Sequence, residues 1–239
     1  MIPWVELDRT RAPAGGVMTL WQRGQEFAIR VDGVELMSSR QHGSEEVLAR
    51  RACEILAHRG GPARLLVGGL GMGFTLRAAL DSLPPGGSVV VAEIVPEVVA
   101  WNRKVLAPLA GSPLEDPRAS VILDDVARVI QDPEGWDAIL LDVDNGPAAM
   151  TRDDNDLLYG VPGLERTRRA LRPGGILIVW SVGPDRRFEE RLRQAGFRCR
   201  AEEVPARIGK RGGSMHTLFV AWPKGGADPP RSEDPAHAG

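Results

Sequence analysis

A chain of 239 residues, 43% hydrophobic and 26% charged, is long enough to bury one large core and has the composition of a soluble globular protein. A net charge of −2 with no dense basic run argues against nucleic acid as a partner. Cys53 and Cys199 are too few for a disulfide framework or a cysteine-built metal site, and His42, His58, His216 and His237 lack metal-ligand spacing, so no metal is expected. No apolar run approaches the roughly 20 residues of a membrane span. Glu6 and Asp8 interrupt what would be the apolar part of a leader, so a cytoplasmic protein with no membrane partner is the expectation.

In chain order, Val17–Arg23, Gln25–Val31 and Val34–Ser38 alternate as short strands, with Gly24 and the Asp32–Gly33 pair as turns. They predict a small antiparallel β-meander within residues 1–43. Ser44 offers an N-cap, with Glu45 and Glu46 in the first turn where the helix dipole favours acid. Val47, Leu48, Ala52, Ile55 and Leu56 then recur at helical spacing until Gly60, Gly61 and Pro62 stop the helix.

From residue 63 the pattern turns to strand, helix, strand, helix. Arg64–Val67 is an apolar strand, followed by a glycine-rich turn and a helix starting near Gly73. Ser88–Glu93, Ala119–Leu123, Trp136–Asp142 and Gly175–Ser181 are further strands, with a helix opening at Pro96 and another around Leu164–Leu171. Arg187–Gly196 reads as a helix, and Phe197–Val204 and His216–Trp222 as closing strands. The alternation predicts an α/β fold, a Rossmann-like sheet with helices on both faces, over residues 44–223. Residues 224–239 lack apolar content and predict a disordered tail.

In such a sheet ligands bind outside the carboxyl ends of the strands. Four predicted strand ends carry chemistry there. Gly69, Gly71 and Gly73 give a turn where backbone approaches a ligand and a helix N-terminus faces it. Glu93 follows at about 20 residues, the spacing at which a carboxylate meets a ribose. Asp124–Asp125 ends the third strand; Asp125 is equally an N-cap. Asp142 and Asp144 end the fourth strand, ahead of Gly146–Pro147 at a loop mouth. Trp101, Met72 and Trp180 read as packing.

These segments resemble the spermidine synthase-like (polyamine aminopropyltransferase) branch of the class I S-adenosylmethionine-dependent methyltransferase fold. The resemblance rests on the meander, SEEVLARRA, VGGLGMG, VVVAEI, LDDVARVI, WDAILLDVDNGPAAM and RALRPGGILIVWS. It implies that Gly69, Gly71 and Gly73 line the methionine part of an S-adenosyl donor, that Glu93 holds the ribose, and that Asp125 with Val126 meets the adenine. It implies that Asp142, with Asp144 beside it, deprotonates or orients an attacking amine. A homodimer is implied too, and the meander serves either as a lid or as the dimer contact.

The departures bear on the reaction. The family reads GGGDG in the turn, where the Asp helps hold the amine of decarboxylated S-adenosylmethionine; this chain has Gly71. Asn145 stands where a second Asp is common, and Ser44 where the helix segment has Tyr. These losses narrowly favour S-adenosylmethionine and methyl transfer to a small-molecule or peptide amine. The alternatives are aminopropyl transfer from the decarboxylated donor and a non-catalytic nucleoside-binding or scaffold protein. An NAD-linked enzyme shares the turn and the acid but leaves the Asp142–Pro147 loop without a role.

Overall fold

A computed structural model describes residues 2–13, 15–142, 157–206 and 214–231. The N-terminal sheet has four strands in sequence order: β1 (Val5–Arg11), β2 (Val17–Arg23), β3 (Glu26–Val31) and β4 (Val34–Ser38). The sequence reading began at residue 17 and missed β1. As an edge strand it leaves Val5 and Leu7 55% and 39% exposed, so it lacks the alternation that marks a half-buried strand. The turns fall as expected, with positive φ at Gly24 and at both Asp32 and Gly33.

The main sheet has seven strands in the order β10-β11-β9-β8-β5-β6-β7. They are β5 (Arg64–Gly68), β6 (Ser88–Glu93), β7 (Ala119–Leu123), β8 (Trp136–Leu141), β9 (Leu171–Ser181), β10 (Phe197–Pro205) and β11 (Met215–Pro223). Strands β7, β6, β5, β8 and β9 run parallel, and β11 and β10 close the sheet antiparallel. The chain winds from β5 outward through β6 and β7, then returns to lay β8 on the other side of β5. The crevice at β5 and β8 is therefore the point of reversal where open α/β sheets bind ligands.

The helices are α1 (Gly43–Arg59), α2 (Phe74–Ser82), α3 (Pro96–Arg103), α4 (Val126–Val129), α5 (Val161–Ala170) and α6 (Arg186–Gln194). Strand alternation divides the core between two faces. Leu65, Val67, Val91, Leu140, Ile178 and Val220 pack with α1, α2, α3 and the meander. Leu66, Val90, Ile139, Leu141, Val179 and Phe219 pack with α4, α5 and α6. Truncating a fully buried leucine on either face costs about 2–5 kcal/mol.

Three sequence expectations change. Strand β9 starts at Leu171 rather than at 175, because Pro173–Gly175 is absorbed as an irregularity between the pairs Trp136–Leu171 and Ala138–Ile176. Ser44 is not the cap of α1: His42 occupies that position without a side-chain bond, and the Ser44 hydroxyl is used elsewhere. Residues 224–231, assigned to a disordered tail on composition, are held by backbone acceptors instead. The Pro229 carbonyl accepts from Arg200 at 2.9 Å, the Pro230 carbonyl accepts from Arg51 and Arg200, and Pro229 is buried. Residues 232–239 lie outside the described residues.

Candidate functional site

One row of the main sheet organises the site. Val91, Val67, Leu140 and Ile178 stand in register across β6, β5, β8 and β9, all on the α1 face of the core. Side chains repeat every two residues in a strand, so the next row on that face is Glu93, Gly69, Asp142 and Trp180. The parallel spacing of about 4.8 Å per strand sets Glu93 and Asp142 roughly 10 Å apart across the glycine turn. Sequence positions 69, 93 and 142 thus meet on one edge of the sheet.

The turn is held from both sides. Gly69, Gly71 and Gly73 have φ of 83°, 53° and 86°, a region that side-chain-bearing residues rarely adopt. Between them Leu70 and Met72 are buried as anchors. Glu93 Oε2 accepts from the Leu70 N–H at 2.9 Å, and its Oε1 accepts from the Val95 N–H at 2.8 Å. Asn102, which the sequence reading did not single out, donates through Nδ2 to the Gly71 carbonyl at 2.8 Å and the Val98 carbonyl at 2.9 Å. A buried carboxylate on the amides and a buried carboxamide on a carbonyl leave the loop little freedom. Gly73 sits at the N-cap of α2. A Cβ there would lie 3.0 Å from Asn102 Oδ1 and 3.2 Å from Pro113 Cγ.

Above the turn stands Met37 of β4. A Cβ on Gly71 would approach its Sδ to 3.3 Å and its Cε to 3.4 Å. The last strand of the meander therefore reaches over the turn. Where the resemblance led us to look for a carboxylate, the neighbour is a thioether.

Glu93 is buried, and burial pushes its carboxyl above the ordinary value against the opposing pull of the Val95 and Leu70 amides. The Ile94 and Gly71 amides pull in the same direction as those two. Asp125 caps α4, its Oδ1 accepting from the Ala127 N–H at 2.8 Å, so the plainer of its two sequence readings is met. Val126 packs beneath the turn, its Cγ2 3.0 Å from where a Gly68 Cβ would stand. Trp101 is core: it is buried and its Nε1–H donates to Asp8 Oδ2 at 2.7 Å, tying β1 to α3.

On the other side of the turn, Asp142 is half-buried, and burial pushes its carboxyl up to about 7. Asp144 and Asn145 lie outside the described residues. Glu45, from the first turn of α1, joins Asp142. Its carboxyl is raised well above the ordinary value by burial first, then by the charge of Asp142 and that of Glu46. Glu46 is paired with His42 Nδ1 at 2.6 Å and Arg50 Nη1 at 3.0 Å. Among the described residues no ion pair reaches Glu45 or Asp142. In sequence Glu45 looks like a dipole-complementing acid, because nothing local reveals a partner 97 residues away.

Beside Asp142 the row continues into a second unanticipated group. Trp180 Nε1–H donates to Ser44 Oγ at 3.0 Å, and that hydroxyl meets His216 Nδ1 at 2.8 Å. The indole and imidazole rings pack edge to face with centroids 4.7 Å apart. Among the described residues no group of three or more His, Cys, Asp and Glu could hold a metal ion.

No family model matches the chain. Among curated proteins it is 28% identical over 123 residues to a polyamine aminopropyltransferase of Korarchaeum cryptofilum, covering 51% of this chain and 36% of that one. It is 27% identical over 169 residues to the polyamine aminopropyltransferase of Mycobacterium tuberculosis, covering 68% and 30%. The chain thus spans about a third of the length of these relatives. Among solved structures, spermidine synthase from Thermotoga maritima superposes with a TM-score of 0.69 at 17% identity, over 90% of this chain and 71% of that one. The chain is similar in sequence to polyamine aminopropyltransferases and shares its fold with spermidine synthase. Human methyltransferase-like protein 13 in complex with SAH gives a TM-score of 0.55 at 21% identity, over 82% and 95%, which places the likeness within the wider methyltransferase fold.

Proposed function

We propose that this protein is a transferase that binds an S-adenosyl donor and alkylates an amine, and that the transferred group is aminopropyl from decarboxylated S-adenosylmethionine. The observation that carries the reading is the row Glu93–Gly69–Asp142 at the reversal point of the sheet. The similarity to polyamine aminopropyltransferases selects the group transferred. Methyl transfer, which the sequence favoured because Gly71 carries no acid, gains no support from those relatives. It stays as the second reading on one observation, the Met37 thioether over Gly71.

In this reading Gly69, Gly71 and Gly73 hold the aliphatic arm of the donor against the N-terminus of α2. Glu93 accepts the ribose hydroxyls. Asp125 and Val126 border the adenine. An amine near neutral pH is mostly an ammonium without a lone pair. Asp142 takes its proton. The amine nitrogen then forms a bond to the donor carbon, the carbon–sulfur bond breaks, and the electron pair leaves on the sulfur as a neutral thioether. A carboxyl titrating near 7 is matched to that task, and Glu45, raised well above its ordinary value by burial and by the Asp142 charge, is the other acid of the pair. Asp144 is assigned here as a second acid on the resemblance alone, and a homodimer likewise.

Incubation with either donor and a panel of linear diamines, amino acids and short peptides tests the reading by mass spectrometry. A product heavier by one aminopropyl group is expected. A gain of one methyl group selects the second reading. Tight donor binding without turnover of any acceptor makes the protein a nucleoside-binding scaffold instead.

A further inference from the structure

Strand β10 is an edge of the main sheet, and its α1 face carries Arg198, Arg200 and Glu202, opposite Trp222, Val220 and Leu218 of β11. Arg51 of α1 reaches the same edge and is buried there. Residues 228–231 return from the end of β11 and cover these groups. We propose that the α1 face of β10 is a recognition groove for an extended Asp-Pro-Pro segment, with residues 228–231 as its resident ligand, and that their docking braces α1.

The groove offers donors and the segment offers acceptors. Glu202 holds two guanidiniums by their Nε groups, that of Arg51 at 2.9 Å and that of Arg200 at 2.7 Å. Their Nη groups are then free to donate to the strap: Arg200 to the Pro229 and Pro230 carbonyls, and Arg51 to the Pro230 carbonyl. Trp222 forms the floor, with Arg198 Cζ and Arg200 Cζ each 5.7 Å from its ring centroid. Asp228 closes the end, its Oδ2 accepting from Arg198 Nη2 at 2.9 Å and its Oδ1 from Trp222 Nε1–H at 3.2 Å. Proline carries a carbonyl and no N–H, so an Asp-Pro-Pro run brings acceptors without a donor to strand. A residue before proline is also pushed toward extended backbone, so the run loses little freedom on docking.

The attachment is one that can come apart. Among the described residues, 227–231 make no backbone-to-backbone hydrogen bond, so side chains alone hold the strap. Residues 224–227 before it are exposed and include Gly225, at φ of 93°, and Gly226. Arg51 ties the strap to α1, and Ser44 and Glu45 lie about two turns earlier on that rigid helix, at the site. Docking therefore bears on the first turn of α1. Any effect on turnover rests on the transferase reading above; the docking itself does not.

A chain ending at Ala227 supplies the empty groove, and a synthetic peptide of residues 225–231 supplies the ligand. Calorimetry is expected to show binding that weakens about tenfold with Asp228→Ala in the peptide or Arg200→Ala in the protein. Alanine at both peptide prolines should weaken it about fivefold. In hydrogen exchange the peptide should slow the α1 amides about tenfold and leave those of α5 unchanged. A folded shortened chain that binds no peptide overturns the proposal, and binding without protection of α1 overturns the brace. Should the shortened chain not fold, Asp228→Lys in the full chain replaces it by setting a cation against Arg198. The α1 amides should then exchange about tenfold faster, and unchanged exchange overturns the proposal. None of these measurements uses a donor or an acceptor, so a protein that turns over no amine sinks the transferase reading and leaves this one standing.

Discussion

Gly71→Asp tests the donor turn most directly, because it restores the acid that the resemblance leads one to look for. The structural cost has two parts. Gly71 has φ of 53°, a left-handed conformation that costs a side-chain-bearing residue about 1 kcal/mol and Asp less than most. The new Cβ also lies 3.3 Å from Met37 Sδ, the flexible end of a side chain, so relief takes a small rotation. Together these give a destabilisation of about 1–2 kcal/mol. In a domain of this size that lowers the melting temperature by roughly 2–8 °C.

The gain is selective. A charge-assisted hydrogen bond to the donor amine is worth about 1.5–3 kcal/mol. A donor that keeps its α-carboxylate sets that carboxylate against the new Asp. The ratio of affinities for decarboxylated over intact S-adenosylmethionine should therefore rise by roughly tenfold to a hundredfold. Calorimetric titration with each donor measures the ratio directly. A variant that melts in the expected range and leaves the ratio unchanged would refute the placement of the donor arm at Gly71.

Other substitutions separate architecture from chemistry. Glu93→Gln sets an amide NH2 against backbone N–H groups that Glu93 now accepts, those of Leu70 and Val95 among them. It should cost about 1–3 kcal/mol in a thermal melt without any ligand, besides weakening donor binding. Asn102→Ala strips the Gly71 carbonyl of its donor; a similar stability loss with a larger fall in donor affinity than in acceptor affinity is expected by calorimetry. Asp142 has an ordinary value of 3.8 and titrates near 7 in the fold, so the folded state holds a proton that the unfolded chain has released between those limits. Stability thus falls as pH rises through that window, by at most about 4 kcal/mol at 1.36 kcal/mol per unit. Asp142→Asn should flatten that slope in denaturant titrations from pH 4 to 8 and cut turnover about 10²- to 10⁴-fold. An unchanged slope would remove the burial argument.

The fold was legible because its strands are apolar runs punctuated by turns. SVVVAE, WDAILL and GILIVW need no tertiary information to be recognised as buried parallel strands. The glycine-turn half of the row was legible for the same reason, since Gly69, Gly71, Gly73 and Glu93 lie close in sequence and the turn requires glycine at fixed offsets. The other half was not. Ser44 looked like a cap because serine before an acidic turn usually is one, yet its hydroxyl is committed to Trp180 and His216, 136 and 172 residues away. Glu45 and Asn102 were hidden the same way: their partners are a carboxylate and a carbonyl brought near only by packing. Strand β1 was missed because an exposed edge strand carries no alternating pattern.

The placement of acid in this site follows from its neighbours. A carboxylate at residue 71 would stand under the Met37 thioether, which offers it no hydrogen-bond donor. A carboxylate at residue 45 stands on the first turn of α1, where the helix dipole favours it, opposite a second acid that can share a proton with it. Burial and the charge of Asp142 raise the Glu45 carboxyl well above its ordinary value, so negative charge at that position is costly until a cation arrives. In the proposed reading, charge at Asp142 and Glu45 bears on the acceptor, and the amides of the turn with Glu93 bear on the donor.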